Sequence, residues 1–76
     1  MYIKTHYNAQ MNKEEIGRKI RSRRKVLKVR QNDLAEISGV ALRTIVAIER
    51  GEGNPSLDTL LKLAEVLGLV LVVDIK

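Results

Sequence analysis

Nine of the fourteen lysines and arginines fall between Lys13 and Arg30, and a cluster this dense attracts polyanions by displacing their condensed counterions. A solvated helix face or a membrane-surface helix could carry the same charge, so composition alone leaves those alternatives open. Bond-making chemistry has little to work with. The chain has no cysteine and a single histidine, His6, to which no role is assigned. It also lacks a glycine-rich phosphate loop, so no nucleophile with its base, metal-ligand set or cofactor cradle can be assembled. Neither catalysis nor a metal or cofactor is expected.

The elements that must position those cations are short. At 76 residues, with a net charge of +5 and a pI near 9.9, there is room for one domain. A domain of this size buries only roughly 60% of the surface its unfolded chain exposes. Small domains are commonly reinforced by disulfides, metals or association, and association is what this composition leaves. No apolar stretch approaches the roughly 20 residues of a membrane span, and the opening MYIKTHYNAQ has no signal-type apolar run. A cytoplasmic protein that does not enter a membrane is expected, which suits a cysteine-free chain.

Residues 1–11 are polar and without period, and are expected to form an N-terminal arm. Asn12 followed by Glu15 suggests a capping box that opens a helix from about Lys13 to Lys28. Ile16, Ile20 and Leu27 line its inner side. At about 100° per residue, Arg18, Arg21, Lys25 and Lys28 gather opposite, facing either phosphate or water. Arg23 and Arg24 fall near the apolar stripe, where an unpaired guanidinium is costly, so at least one of them needs a carboxylate.

Gln31 to Ser38 forms a second helix with Leu34 and Ala35 inward, and Gly39 ends it. A third helix follows at once, from about Leu42 to Arg50. Ile45, Ile48 and Glu49 share its inner side, with Arg43, Val46 and Ala47 on the other. Glu49 is therefore the natural partner for an inward arginine of the first helix. After the loop GEGNPS, Ser56 caps a fourth helix from Leu57 to Leu67, which Gly68 terminates. Leu57, Leu60, Leu61, Ala64 and Leu67 form its main stripe. Leu63 and Val66 form a second apolar flank with no evident partner inside the chain.

The closing LVLVVDIK is apolar at nearly every position from Leu69 to Ile75, and reads as a strand buried on both faces. With no second strong strand in the chain, its edge invites a second copy, and two-fold symmetry would make an antiparallel ribbon. Three segments result: an arm at 1–11, a helical domain at 12–68 and a dimerisation strand at 69–76. Leu63, Val66, Leu69, Leu71, Val73 and Ile75 are the expected dimer residues.

The stretch QNDLAEISGVALRTIVAIERG has the helix-turn-helix pattern. Leu34 and Ala35 face inward, Gly39 sits in the turn, and Val40, Ile45 and Ile48 pack the next helix across the previous one. From Ile16 to Leu69 the chain resembles the helix-turn-helix family of lambdoid phage repressors and xenobiotic-response-element regulators. Arg24, Gln31, Leu34-Ala35, Gly39-Val40, Thr44-Ile45, Ile48-Glu49, Gly51 and Asn54-Pro55-Ser56-Leu57 carry the likeness.

The resemblance implies an all-α fold of four to five helices, here with a short C-terminal strand pairing across a dimer. It also implies that Arg24, rather than Arg23, pairs with Glu49. The third helix would lie in the major groove of double-stranded DNA. Arg43 would read a guanine, with Leu42, Val46 and Ala47 packing on thymine methyls. Gln31, Ala41, Thr44, Arg50 and Asn54 would lie at phosphates.

The chain departs from the family at Lys28, commonly glycine, at Arg30, usually Ser or Thr, and at Ala41, usually a capping Ser or Thr. The ending LGLVLVVDIK is similar to that of antitoxin repressors that dimerise through a C-terminal strand and restrain a kinase-like toxin. The function implied is a dimeric transcriptional repressor on an inverted-repeat operator, autoregulating if a toxin partner exists. The competing reading is a protein-interaction module that mainly neutralises such a toxin, for which a donor-poor third helix would be diagnostic.

Overall fold

The computed structural model describes residues 2–3, 12–73 and 75. They form β1 (Tyr2–Ile3), α1 (Lys13–Val26), α2 (Gln31–Ser38), α3 (Leu42–Glu49), α4 (Leu57–Leu67) and β2 (Val70–Leu71). Local chemistry sets most of these limits. The Asn12 side chain accepts the Glu15 amide at 2.8 Å and so starts α1 with one half of the expected capping box. Gly39 ends α2 with φ 76°. The Ser38 hydroxyl spans that turn, donating to the Leu34 carbonyl at 2.6 Å and accepting from the Val40 amide at 3.2 Å. Ser56 caps α4 by accepting the Thr59 amide at 3.1 Å, and Gly68 closes it with φ 69°.

Two boundaries differ from expectation. Helix α1 stops at Val26, with Leu27 as its C-cap, and Lys28 turns left-handed at φ 59°. The Lys28 amide donates to the Lys25 carbonyl and the Val29 amide to the Arg24 carbonyl, so a hydrogen-bonded turn closes the helix two residues before its apolar and basic stripes run out. The C-terminal strand is confined to Val70–Leu71, and its partner is β1, paired in parallel with Tyr2 opposite Val70 and Ile3 opposite Leu71. A two-residue strand has no periodicity to read; the rest of the expected arm, residues 1 and 4–11, lies outside the described residues. Val73 and Ile75 are exposed at 101% and 94%, so within one protomer the run is not buried on both faces.

Helices α1 and α2 pack on α3, and α4 packs on α1 and α2. The centre is aliphatic: Ile20, Leu34, Ile45, Leu63 and Leu67 are fully enclosed, and Val40, Ile48, Ala64 and Leu69 complete the core. Helix α4 is rotated from its expected pose. Its inner face is Leu60, Leu63, Ala64 and Leu67, while Leu57 and Leu61 are exposed. More than half of this helix's circumference is apolar, so periodicity alone could not choose the buried side. The flank at Leu63 does find its partner inside the chain.

The backbones of α1 and α3 approach closely at Gly17. A Cβ at Gly17 would overlap the Ile48 carbonyl oxygen and stand 3.3 Å from the Glu49 carbonyl carbon. Among the described residues no helix is long and apolar enough to cross a membrane, and no group of acidic, histidine or cysteine side chains could hold a metal.

Candidate nucleic-acid interface

Burial of Ile45 and Ile48 fixes which way α3 faces. With about 100° between successive residues, the direction opposite those two isoleucines is occupied by Arg43 and Arg50, flanked by Val46 and Ala47. Both arginines are exposed, and Val46 and Ala47 are half-buried. Leu42 stands at one edge, 41% exposed, with half-buried Thr44 at the other. Ala41 precedes the helix, exposed and without a side-chain cap. All four expected base readers therefore lie on one outward strip, which a convex helix can present to a groove about 12 Å wide.

Two recesses flank that strip and hold four of the five expected phosphate residues between them, Ala41 lining neither. One lies between α3 and the following loop and is lined by Arg43, Thr44, Ala47, Ile48 and residues 52–55. It brings Thr44 and Asn54 together, but Glu52 also lines it and adds a negative charge. The other recess is polar and is lined by Arg21, Arg24, Gln31, Val46, Glu49 and Arg50, which joins Gln31 to Arg50.

The floor of the second recess is a nearly enclosed ion pair. Arg24 Nε donates to Glu49 Oε2 at 2.7 Å and one terminal nitrogen donates to Oε1 at 2.9 Å, with side-chain exposures of 11% and 3%. The other terminal nitrogen of Arg24 donates to the Val29 carbonyl at 2.9 Å, and Gln31 Nε2 donates to Glu49 Oε1 at 3.2 Å. The Glu49 carboxylate thus ties α1, α2 and α3 together, and Arg24 extends the tie to the α1–α2 turn. Hydrogen bonding to Glu49 raises the Arg24 guanidinium above its ordinary value; burial opposes this, and the carboxylate's charge adds to it. The pair is neutral as a unit, so Glu49 leaves no net negative charge beside α3, and Arg21 and Arg50 set the sign of the recess. Gln31 keeps a second amide hydrogen and its carbonyl oxygen for an outside partner.

The sequence left open which arginine pairs until the family resemblance pointed to Arg24. The geometry agrees, and it gives Arg23 a different task. Arg23 Nε donates to the Leu67 carbonyl at 2.8 Å, satisfying one of the unpaired carbonyls at the end of α4 and placing a cation at its negative pole. That contact spans 44 residues and had no local signal. Arg21, which the sequence placed on a basic stripe facing either phosphate or water, lines the polar recess. Of the expected dimer residues, Leu63 and Leu69 lie inside the protomer core at 0% and 6% exposure, whereas Val66, Leu71, Val73 and Ile75 lie at least partly at the surface.

A model of the helix-turn-helix family matches residues 20–71. An HTH-type transcriptional regulator of Methanothermobacter thermautotrophicus is 43% identical over 56 residues, covering 74% of this chain and 81% of the relative. Repressor protein C2 of Salmonella phage P22 is 42% identical over 57 residues, covering 75% of this chain and 26% of the repressor. An HTH-type transcriptional regulatory protein of Methanococcus maripaludis is 38% identical over 56 residues, covering 74% of this chain but 17% of the relative. The match to the last two proteins is therefore confined to about a quarter or less of their length.

Proposed function

Because this chain belongs to the helix-turn-helix family, we propose that it is a sequence-specific DNA-binding transcriptional regulator acting as a dimeric repressor. The observation that carries the reading is the outward strip of α3, with Arg43 and Arg50 directly opposite buried Ile45 and Ile48. Arg43 reads a guanine edge, and Leu42, Val46 and Ala47 meet thymine methyls. Gln31 and Arg50 hold phosphate on one side of α3, Thr44 and Asn54 on the other, and Ala41 lies at phosphate where the chain enters the helix. Two exposed arginines on this strip favour DNA over a protein-interaction module, which would need a donor-poor α3.

Selection from a random duplex library tests the proposal. The expected winner is an inverted repeat with half-site centres about one helical turn apart, near 34 Å; no enrichment would refute sequence-specific binding. On that selected site Arg43→Ala is expected to weaken binding by about 1–3 kcal/mol and relax preference at one base position. Equal loss on a scrambled duplex would remove Arg43 from base reading.

Dimerisation through the C-terminal strand belongs to the same proposal. In a two-stranded sheet β1 takes one edge of β2, and the opposite edge is the one a two-fold partner would extend. Such pairing would cover Val73 and Ile75. Since Leu69 belongs to the core, the informative truncation removes residues 72–76 and keeps β2. The truncated chain is expected to fold, sediment as a monomer and lose operator affinity. If it still sediments as a dimer, residues 72–76, and with them Val73 and Ile75, do not hold the two copies together.

A further inference from the structure

The described residues include five with positive φ: Gly39, Gly51, Gly53, Gly68 and Lys28. Glycine adopts this conformation without steric penalty, whereas any L side chain crowds its own carbonyl there. The chain uses glycine to end α2 and α4 but lysine after α1, at φ 59°. The backbone task at that turn is the same, so the lysine side chain is what distinguishes it.

The position of Lys28 suggests what that side chain does. Lys28 is exposed, and among the described residues it has no ion-pair partner, unlike Arg30, whose Nε lies 3.2 Å from Asp33. Its Cα is three residues before Gln31, so the two cannot be more than about 11 Å apart. Gln31 lines the recess that Arg21 and Arg50 make basic. One turn beyond Arg21 on α1, Lys25 is exposed as well, continuing the positive surface from the recess toward Lys28. A duplex carries one negative charge per about 1.7 Å of its axis, so a backbone seated at Gln31 brings further phosphates within reach of a lysine side chain.

We infer that Lys28 is a DNA-backbone contact at the end of a basic track running from Arg21 along α1, outside the strip of α3 that faces the bases. The inference rests on the DNA-binding reading above. It concerns phosphate, so a mixed-sequence duplex of about 30 bp is the probe, titrated over a range of salt concentrations with the full chain.

Lys28→Gly separates backbone from side chain, because it relieves the left-handed strain while removing the charge. Its melting temperature is expected to rise by about 2–6 °C. Its slope of log affinity against log salt is expected to fall in magnitude by about 0.9, the loss of one phosphate contact. Lys28→Arg should retain the parental slope. Lys62→Gln removes the same charge from α4, where Lys62 pairs with Asp58 at 3.2 Å, and should also retain it. A more stable Lys28→Gly protein with an unchanged slope, or an equal fall in Lys62→Gln, overturns the inference while leaving the DNA-binding reading intact. Failure of the unsubstituted protein to bind any duplex overturns both.

Discussion

Glu49→Ala is expected to destabilise the domain by about 3–5 kcal/mol, the usual consequence of removing one partner of a buried ion pair. The substitution strands the Arg24 guanidinium, only 11% exposed, and removes the acceptor of Gln31 Nε2. For a chain of this length total stability is roughly 4–11 kcal/mol, so the loss takes a large share of the whole. At roughly 4–8 °C per kcal/mol for a small domain, thermal melting should show a fall of ten degrees or more. The companion experiment is the double replacement Arg24→Met with Glu49→Leu. Removing both charges also removes the desolvation penalty, and much of the lost stability should return. A loss below about 1 kcal/mol for Glu49→Ala would mean that water reaches the pair and that it behaves as a surface bridge.

The ion pair also marks how far the fold was legible in the sequence. Helices α1 and α4 begin at the side-chain caps Asn12 and Ser56, and α2 and α4 end at the left-handed glycines Gly39 and Gly68, because those signals act within one turn of the residue that carries them. The Glu49 partner was readable because Glu49 is the one acidic residue of α3 and falls on its inner side. The orientation of α4 was not readable, since an apolar surface wider than half the helix leaves the choice to neighbours distant in sequence. Arg23 shows the same limit. Its partner is a backbone carbonyl of Leu67, and every residue has one, so side-chain identities could not indicate the contact. In the site, the outward residues of α3 follow directly from the inward isoleucines. The clustering of Arg21 with Gln31 and Arg50 depends on how three helices cross.

That crossing depends on Gly17, where helix propensity and packing make opposite predictions. In an exposed helix interior, glycine to alanine stabilises by about 1 kcal/mol. Here the new methyl would overlap the Ile48 carbonyl oxygen, which also accepts the Gly51 amide at 2.9 Å and so helps turn the chain out of α3. The obstacle is backbone at the end of a helix, so no rotamer change can remove it, and α1 and α3 must separate. Overpacking of this kind typically costs 1–3 kcal/mol and occasionally more. Gly17→Ala is therefore expected to destabilise by about 2 kcal/mol or more in denaturant titration, despite the gain in helix propensity. Moving α3 away from α1 would also pull Glu49 from Arg24 and tilt the strip that carries Arg43, so operator affinity should fall even at temperatures where the variant is fully folded. Amide exchange at Gly51 should accelerate as its acceptor is displaced. If Gly17→Ala is instead more stable than the parent, α1 and α3 stand far enough apart to admit the methyl, and the orientation of α3 would have to be set by α2 alone.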